Sequence, residues 1–183
     1  IIILYLLTFD YSRVAIETFA SSNTITIAGQ ITSTARIKIG EIVREKLKEI
    51  GYDNAQTDID YRTCNINADI TKQSADIALG VDVGGAGDQG IMFGYACDET
   101  PNYMPFAIDM AHKLARRLTQ VRKEGIVDFL RPDGKTQVTV EYEDDKPKRI
   151  ETILISTQHL ETATLEEVRQ AVIENVIKQV VPE

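Results

Sequence analysis

Cysteine and histidine are both scarce in this chain of 183 residues, which has two of each. Cys64 and Cys97 form no C-x-x-C pair, and neither has a local cluster of histidines. Neither a disulfide framework nor a cysteine-based metal site is therefore expected. Such cysteine usage fits a reduced environment, so we expect a cytoplasmic protein.

Positive charge is also in short supply, because 20 Lys and Arg stand against 28 Asp and Glu and the net charge is -8. A pI near 4.9 argues against a polyanion-binding surface, since nucleic-acid binders cluster Lys and Arg. We expect no nucleic-acid partner. Any phosphate ligand must be held locally, with help from a metal ion.

The apolar run that opens the chain, residues 1–7, is too short to span a bilayer and lacks the basic flank and cleavage site of a signal peptide. We expect no membrane association. The run is predicted to be a core segment that is cut at its start, because the chain has no initiator Met.

The first half of the chain predicts a hairpin followed by a helix and a strand. Residues 14–20 and 24–32 are rich in β-branched side chains, and apolar residues from Ile39 recur at helical spacing until Gly51. Polar and apolar residues then alternate over residues 64–70, as in a half-buried strand.

The second half is predicted to repeat this plan. We expect a strand over residues 91–96 and then a helix from Pro105 to Gly125. Strands over residues 137–142 and 150–156 should follow, joined by a polar turn. A final helix should begin with Thr164 as its N-cap and Glu167 in a capping box. The predicted inward faces of the two helices are Ile108, Ala111, Ala115, Leu118 and Val121, and Leu165, Val168, Val172, Val176 and Val180. The fold class is α+β, with repeated two-layer modules of β-sheet and helices on one face, covering residues 1–82 and 83–183.

The most informative stretch is residues 84–100, GGAGDQGIMFGYACDET, which contains a G-x-G-x-x-G pattern. In a dinucleotide-binding fold this pattern opens a helix whose N-terminus faces a pyrophosphate. Here bulky residues follow and predict a buried strand instead, and Asp88 opposes an anion but suits an ammonium group, a sulfonium or a metal ion. A nicotinamide-dependent oxidoreductase is therefore the disfavoured alternative.

The whole string resembles the GAGDQG-type signature of the S-adenosylmethionine synthetase family. Further matches follow in the family's order: Arg13-Val14-Ala15 with Glu17, Lys72-Gln73-Ser74 with Asp76-Ile77, Leu130-Arg131-Pro132-Asp133 with Lys135-Thr136-Gln137-Val138, and Ser156-Thr157-Gln158-His159. The resemblance implies S-adenosylmethionine synthesis from ATP and L-methionine, with release and hydrolysis of tripolyphosphate. It also implies Mg2+ and K+ as cofactors, three stacked modules, and a homodimer or dimer of dimers with active sites between subunits.

The resemblance also implies roles for individual residues. Lys135 would balance phosphate charge, and Asp133 and Gly134 would contact the nucleotide from a tight Pro and Gly turn. Asp88 would contact methionine or product, so Lys135 and Asp88 are the catalytic candidates, and Glu17 would ligate potassium from a mostly buried strand. The alternatives are a solvated turn for Asp133–Lys135, a loop-capping Asx turn for Asp88 and an outward-facing position for Glu17.

The chain departs from the family at several points. Gln30 and Leu79 stand on the methionine side where family members carry Glu and Gln, which removes a charge partner and a hydrogen-bonding group. The family's GHPDK segment, its longer gating loop before the glycine string and its third module are absent from these residues. Two expectations remain open: an incomplete subunit of the enzyme, or a non-catalytic or altered-substrate relative that retains the fold and dimer surface.

Overall fold

The computed structural model describes residues 12–53, 57–81, 84–86 and 89–181. The chain divides into two compact units, Ile1–Met92 and Phe93–Glu183. The predicted module boundary after Asp82 and the predicted core segment at residues 1–7 fall outside the described residues and stay predictions. No helix in the described part of the chain is long and apolar enough to cross a membrane.

The first unit is built on a three-stranded sheet. Strands β1 (Arg13–Ser21) and β2 (Thr24–Thr32) form the predicted antiparallel hairpin, and β3 (Asn65–Thr71) pairs with β2 in parallel, so β2 is central. Helix α1 (Ile39–Ile50) ends at Gly51, whose φ of 111° is the left-handed conformation that glycine adopts readily. A short helix, α2 (Ala75–Val81), follows the sheet. The core of this unit contains Ile16, Ile25, Ile27, Val43, Leu47 and Cys64.

The second unit packs helices against a long hairpin. Helix α3 (Phe106–Lys123) precedes strands β4 (Leu130–Glu143) and β5 (Lys146–His159), which pair antiparallel. The polar turn between β4 and β5 is shorter than predicted and consists of Asp144 and Asp145. Their φ angles of 50° and 59° are those of a two-residue hairpin turn. The buried core contains Met110, Leu114, Leu118, Val121, Val127, Leu130, Val168, Val172 and Val176.

The final helix begins as the sequence predicts. Thr164 accepts a hydrogen bond from the backbone N–H of Glu167, and Glu167 accepts one from that of Thr164, which completes the capping box of α4 (Leu165–Val172). The helix continues through a π-helical stretch, Ile173–Ile177, into α5 (Lys178–Val180). Within the stretch, the carbonyl of Asn175 accepts a hydrogen bond of 2.9 Å from Nε of Arg117 on α3.

Two inward-facing predictions are wrong. Leu165 is 71% exposed and Ile108 is 40% exposed. Both lie in the first turn of their helices, where the next apolar residues, Val168 and Ala111, already face the core. Leu114, which the prediction passed over, is fully buried instead.

The strand predicted over residues 91–96 is also wrong, because the segment has no regular secondary structure. Its apolar side chains are exposed rather than buried, with Ile91 at 78%, Met92 at 88% and Phe93 at 89%. A strand needs a hydrogen-bonded neighbour, and no described residue pairs with this segment. Among the described residues, the second unit therefore opens with α3. Both units combine β-sheet with helices, which is the α+β class that the sequence predicts.

Candidate functional site

The segment Arg131 to Lys135 lies inside β4, so the prediction of a tight turn there is wrong. Leu130 pairs with His159 and Gly134 with Thr157, with a register shift between the two pairs. Residues 131–133 therefore bulge opposite Gln158. Pro132 has no N–H to give to a strand ladder, and a bulge accommodates it as well as a turn does. Proline, aspartate and glycine together do not distinguish the two structures.

Lys135 is exposed on the face of β4 that points away from α3. Its neighbours Gly134 and Thr136 face α3: a Cβ added to Gly134 would lie 2.7 Å from Cδ2 of Leu118, and the Thr136 hydroxyl donates to the carbonyl of Ala111 at 2.8 Å. Alternation along the strand thus presents the Lys135 ammonium to solvent. Such a group is available to a phosphate ligand.

Asp133 is exposed beside Lys135, and its carbonyl accepts a hydrogen bond of 3.5 Å from the Thr157 hydroxyl. Arg131 is used internally, because its Nη1 donates to the carbonyls of Asp128 and Leu130 at 2.9 Å and 2.7 Å. Its Nε and the Oε1 of Gln158 are both buried and have no hydrogen-bond partner among the described residues.

A cavity of about 60 Å³ lies beneath this segment, between α3 and the bulge of β4. It has room for one or two water molecules, not for a nucleotide. A larger apolar groove lies between β5 and α4, but neither Asp133 nor Lys135 lines it. A nucleotide held by Asp133 and Lys135 would therefore lie on the exposed face of the hairpin.

The candidates of the first unit share a surface. Glu17 pairs with Ala28, which pairs with Asp69 across β2, and Gln30 lies two residues beyond Ala28. Because the core residues Ile16, Ile25 and Ile27 point to the opposite side, these polar side chains lie on the outer face of the sheet. Glu17 and Asp69 are exposed there and Gln30 is half-buried. The structure therefore brings Glu17 and Gln30 together as diagonal neighbours.

β1 is not the mostly buried strand that was expected around Glu17, since Ile16 is its one buried residue. Glu17 itself is exposed on the outer face, and its predicted role as a potassium ligand stays a prediction. The sequence interpretation gave no role to Asp69. Its alternation with the apolar Ile66 and Ile70 nevertheless indicated that Asp69 lies on the outer face of the sheet. Glu17 and Asp69 flank a central strand, which separates their backbones by roughly 10 Å.

Leu79 lies in α2 and is 74% exposed, so it is not a core residue of the first unit. Glu17, Gln30 and Leu79 belong to one unit, and Asp133, Gly134 and Lys135 belong to the other. Asp88 falls outside the described residues, and its predicted role stays a prediction.

The glycine string begins as the end of a helix. Gly84 donates to the carbonyl of Val81 and Gly85 to that of Gly80, both at 3.0 Å, at the C-terminus of α2. A Cβ on Gly85 would lie 2.5 Å from the Gly80 carbonyl oxygen, so this turn needs glycine. A dinucleotide fingerprint follows a strand and opens a helix, whereas this string follows a helix. The geometry argues further against the oxidoreductase alternative.

The string's far end is fixed by a carboxylate. Glu99 accepts hydrogen bonds from the backbone N–H of Phe106, at the start of α3, at 2.8 Å, and from the Tyr142 hydroxyl at 2.7 Å. These bonds, the first above all, lower the pKa of Glu99. The bond to Glu99 in turn raises the pKa of Tyr142 to about 12. Sequence reasoning gave no sign of this contact, because the two residues are 43 positions apart.

The described residues do not form a complete metal site. Over the ranges that the structure describes, no three His, Cys, Asp or Glu residues come together in a way that would hold an ion. On the outer face of the first sheet, the carboxylates of Glu17 and Asp69 lie on either side of the central strand. The expected magnesium and potassium stay predictions.

Comparison with known proteins gives a consistent result over the two halves of the chain. The profile of the S-adenosylmethionine synthetase N-terminal domain matches residues 1–75, and that of the central domain matches residues 83–183. An S-adenosylmethionine synthase from Clostridium botulinum is 51% identical over 185 residues, covering 93% of this chain and 47% of the relative.

An S-adenosylmethionine synthase from Desulfosudis oleivorans is 50% identical over 177 residues, covering 93% of this chain and 46% of the relative. The chain thus spans about half the length of the curated relatives it matches. The matched domains are the two that the glycine string and the segments around it predicted. This chain belongs to the S-adenosylmethionine synthetase family.

Proposed function

We propose that the protein synthesises S-adenosylmethionine from ATP and L-methionine, releasing and then hydrolysing tripolyphosphate. We also propose that the 183 residues of this chain form part of the enzyme's subunit. The observation that carries the proposal is the match to both family domains, at about half identity over 93% of the chain. The exposed Asp133 and Lys135 on β4 support it, because they are free to meet a nucleotide.

In the proposed reaction, the methionine sulfur attacks C5' of ATP and the tripolyphosphate chain leaves. The leaving group carries several negative charges, so a cation at its oxygens stabilises the transition state. Lys135 supplies one such charge. Asp133 and Gly134 hold the nucleotide beside it, and Asp88 and Gln30, with Leu79, form the methionine side.

The full enzyme is proposed to use Mg2+ and K+, with Glu17 as one potassium ligand, and to assemble as a homodimer or dimer of dimers. Family membership supports these points. The free Cys64 and Cys97 agree with the proposed reduced, cytoplasmic setting.

The test is formation of S-adenosylmethionine from ATP and methionine, with release of pyrophosphate and phosphate, by the protein from the complete reading frame. Lys135→Ala is expected to lower kcat by about 100-fold, the usual scale for losing one group that stabilises transition-state charge. It is also expected to raise the KM for ATP, because Lys135 contacts the phosphate chain of bound ATP as well. Lys146→Ala is the matched control, because Lys146 is also exposed on the same hairpin. A Lys135→Ala enzyme within twofold of the parent would contradict the assignment.

The alternative is a non-catalytic or altered-substrate relative, and Gln30 and Leu79 favour it. Gln30 is neutral where the family has a carboxylate for the substrate ammonium. Calorimetry with methionine and a non-hydrolysable ATP analogue separates the two functions. Weak methionine binding that Gln30→Glu restores would support the alternative, and tight binding of both ligands by the parent would exclude it.

A further inference from the structure

The backbone on either side of Lys135 contacts helix α3. Gly134 lies so close to Leu118 that a Cβ at Gly134 would come within 2.7 Å of that side chain. On the other side, the Thr136 hydroxyl donates to the carbonyl of Ala111 at 2.8 Å. Lys135 points the other way and is exposed.

Regular strand pairing holds the part of β4 after Lys135 but not the part just before it. The register shift between the Leu130 and Gly134 pairs interrupts the regular ladder just before Lys135. A strand next to a bulge has fewer backbone bonds to hold its position. The contacts with α3 therefore matter more here than they do near the middle of the hairpin.

Helix α3, which makes this contact with β4, is held in place by the core of the second unit. Ala111 is buried, and Leu114, Leu118 and Val121 on the same helix are 0%, 6% and 0% exposed. A closely packed core permits little displacement. A hydrogen bond from Thr136 to this helix therefore fixes the backbone to which Lys135 belongs.

We infer that Thr136 is a positioning residue: its hydroxyl holds β4 against α3 and thereby sets where the Lys135 ammonium meets the phosphate chain of ATP. This inference rests on the proposed function. Thr136 itself faces α3 and does not touch the nucleotide. Its effect reaches ATP through Lys135 and is therefore specific to one of the two substrates.

The experiment compares Thr136→Val with Thr136→Ser in the protein from the complete reading frame. Valine keeps the shape and removes the donor, and loss of one hydrogen bond is expected to raise the KM for ATP about fivefold. The KM for methionine should not change. Thr136→Ser keeps the hydroxyl and should restore the KM for ATP to within twofold. Thr139→Val, at an exposed position of the same strand, is the control and should match the parent.

A merely structural role gives a different pattern. Fewer folded molecules lower the apparent kcat and leave both KM values unchanged, and that result would overturn the inference. Amide hydrogen exchange at Lys135 is a readout that needs no catalysis, and it should quicken about fivefold in Thr136→Val. Unchanged exchange would also overturn the inference.

The outcomes also separate this inference from the proposed function. A parent protein that forms no S-adenosylmethionine from ATP and methionine refutes the function and the inference together. An active parent with an unaltered Thr136→Val variant refutes the inference alone. If Thr136→Val does not fold, Thr136→Ala is judged by the same KM for ATP. Failure of both to fold would assign the hydroxyl to folding and overturn the positioning role.

Discussion

Replacement of Gly29 by alanine tests the packing of the first sheet. Gly29 lies on the central strand β2, between Ile16 of β1 and Ile70 of β3. Its φ is +145°, which side chains other than hydrogen rarely permit. An added Cβ would lie 2.1 Å from the carbonyl oxygen of Ala15 and 2.9 Å from Cα of Ile16. Both atoms are backbone, so no side-chain rotation relieves the clash.

The size of the effect follows from this geometry. Relief of the clash requires β1 and β2 to separate by roughly 1 Å, which takes hydrogen bonds of about 2.9 Å beyond their useful range. Loss of two ladder bonds costs about 1 kcal/mol each, and the strained φ adds about 1–2 kcal/mol. We expect Gly29→Ala to lower the free energy of unfolding by about 3–4 kcal/mol, a large share of the total for a protein of this kind.

Urea unfolding followed by circular dichroism measures the change. A loss of this size lowers the midpoint by about 2 M when the slope is about 2 kcal/mol per molar. Gly40→Ala is the matched control: Gly40 is in α1, a Cβ there meets nothing within 4 Å, and alanine should stabilise the helix by about 0.5 kcal/mol. A Gly29→Ala protein within 1 kcal/mol of the parent would refute the reasoning.

Three further predictions concern the cap of α4, the core of the second unit and the contact between Glu99 and Tyr142. Thr164→Ala removes the cap of α4 and should cost about 1 kcal/mol in urea unfolding; no loss would contradict the capping box. Leu114→Ala should cost about 2–5 kcal/mol because Leu114 is fully buried, whereas Ile108→Ala, at an exposed position, should cost less than about 1 kcal/mol. Ultraviolet titration, with Tyr142→Phe subtracted, should show one tyrosine with a pKa of about 12 that returns toward 10.0 in Glu99→Gln. Because the folded state lowers the pKa of Glu99, this carboxylate stabilises the protein at pH values above its ordinary pKa of 4.5. The contribution should be lost as the pH falls through the folded-state pKa. An equal loss of stability at acid pH in the parent and in Glu99→Gln would contradict it.

Local signals in the sequence account well for the elements whose ends carry strong chemical markers. The β1–β2 hairpin, α1 with its glycine stop, and the capping box of α4 are each set by residues within a few positions of one another. Such signals do not depend on what the rest of the chain does. The prediction of these elements was therefore confirmed.

The errors arise where distant residues decide. Bulky residues at 91–96 are typical of a strand, but a strand forms only with a neighbour, and a local pattern does not report one. Arg131–Lys135 has the composition of a turn, yet its pairing with Thr157 makes it part of β4. For the site, the resemblance supplied the candidates, while the shared face of Glu17 and Gln30 depended on strand register. That register follows from the two-residue turn between β1 and β2, which the sequence interpretation did not use.

The π-helical stretch Ile173–Ile177 has a consequence for how the chain's last segment tolerates change. In an α-helix each residue rotates by about 100°, so residues four apart are displaced by about 40° around the helix axis. Residues of a π-helical turn rotate less, and this offsets the displacement. Val168, Val172 and Val176 therefore stay along one buried line. A substitution in the stretch leaves this phase intact. Five residues of such a turn rotate the chain about as far as four residues of an α-helix. Deletion of one residue within the stretch should therefore restore an α-helical turn and leave the following residues in phase, whereas a deletion within α4 would turn them by about 100°.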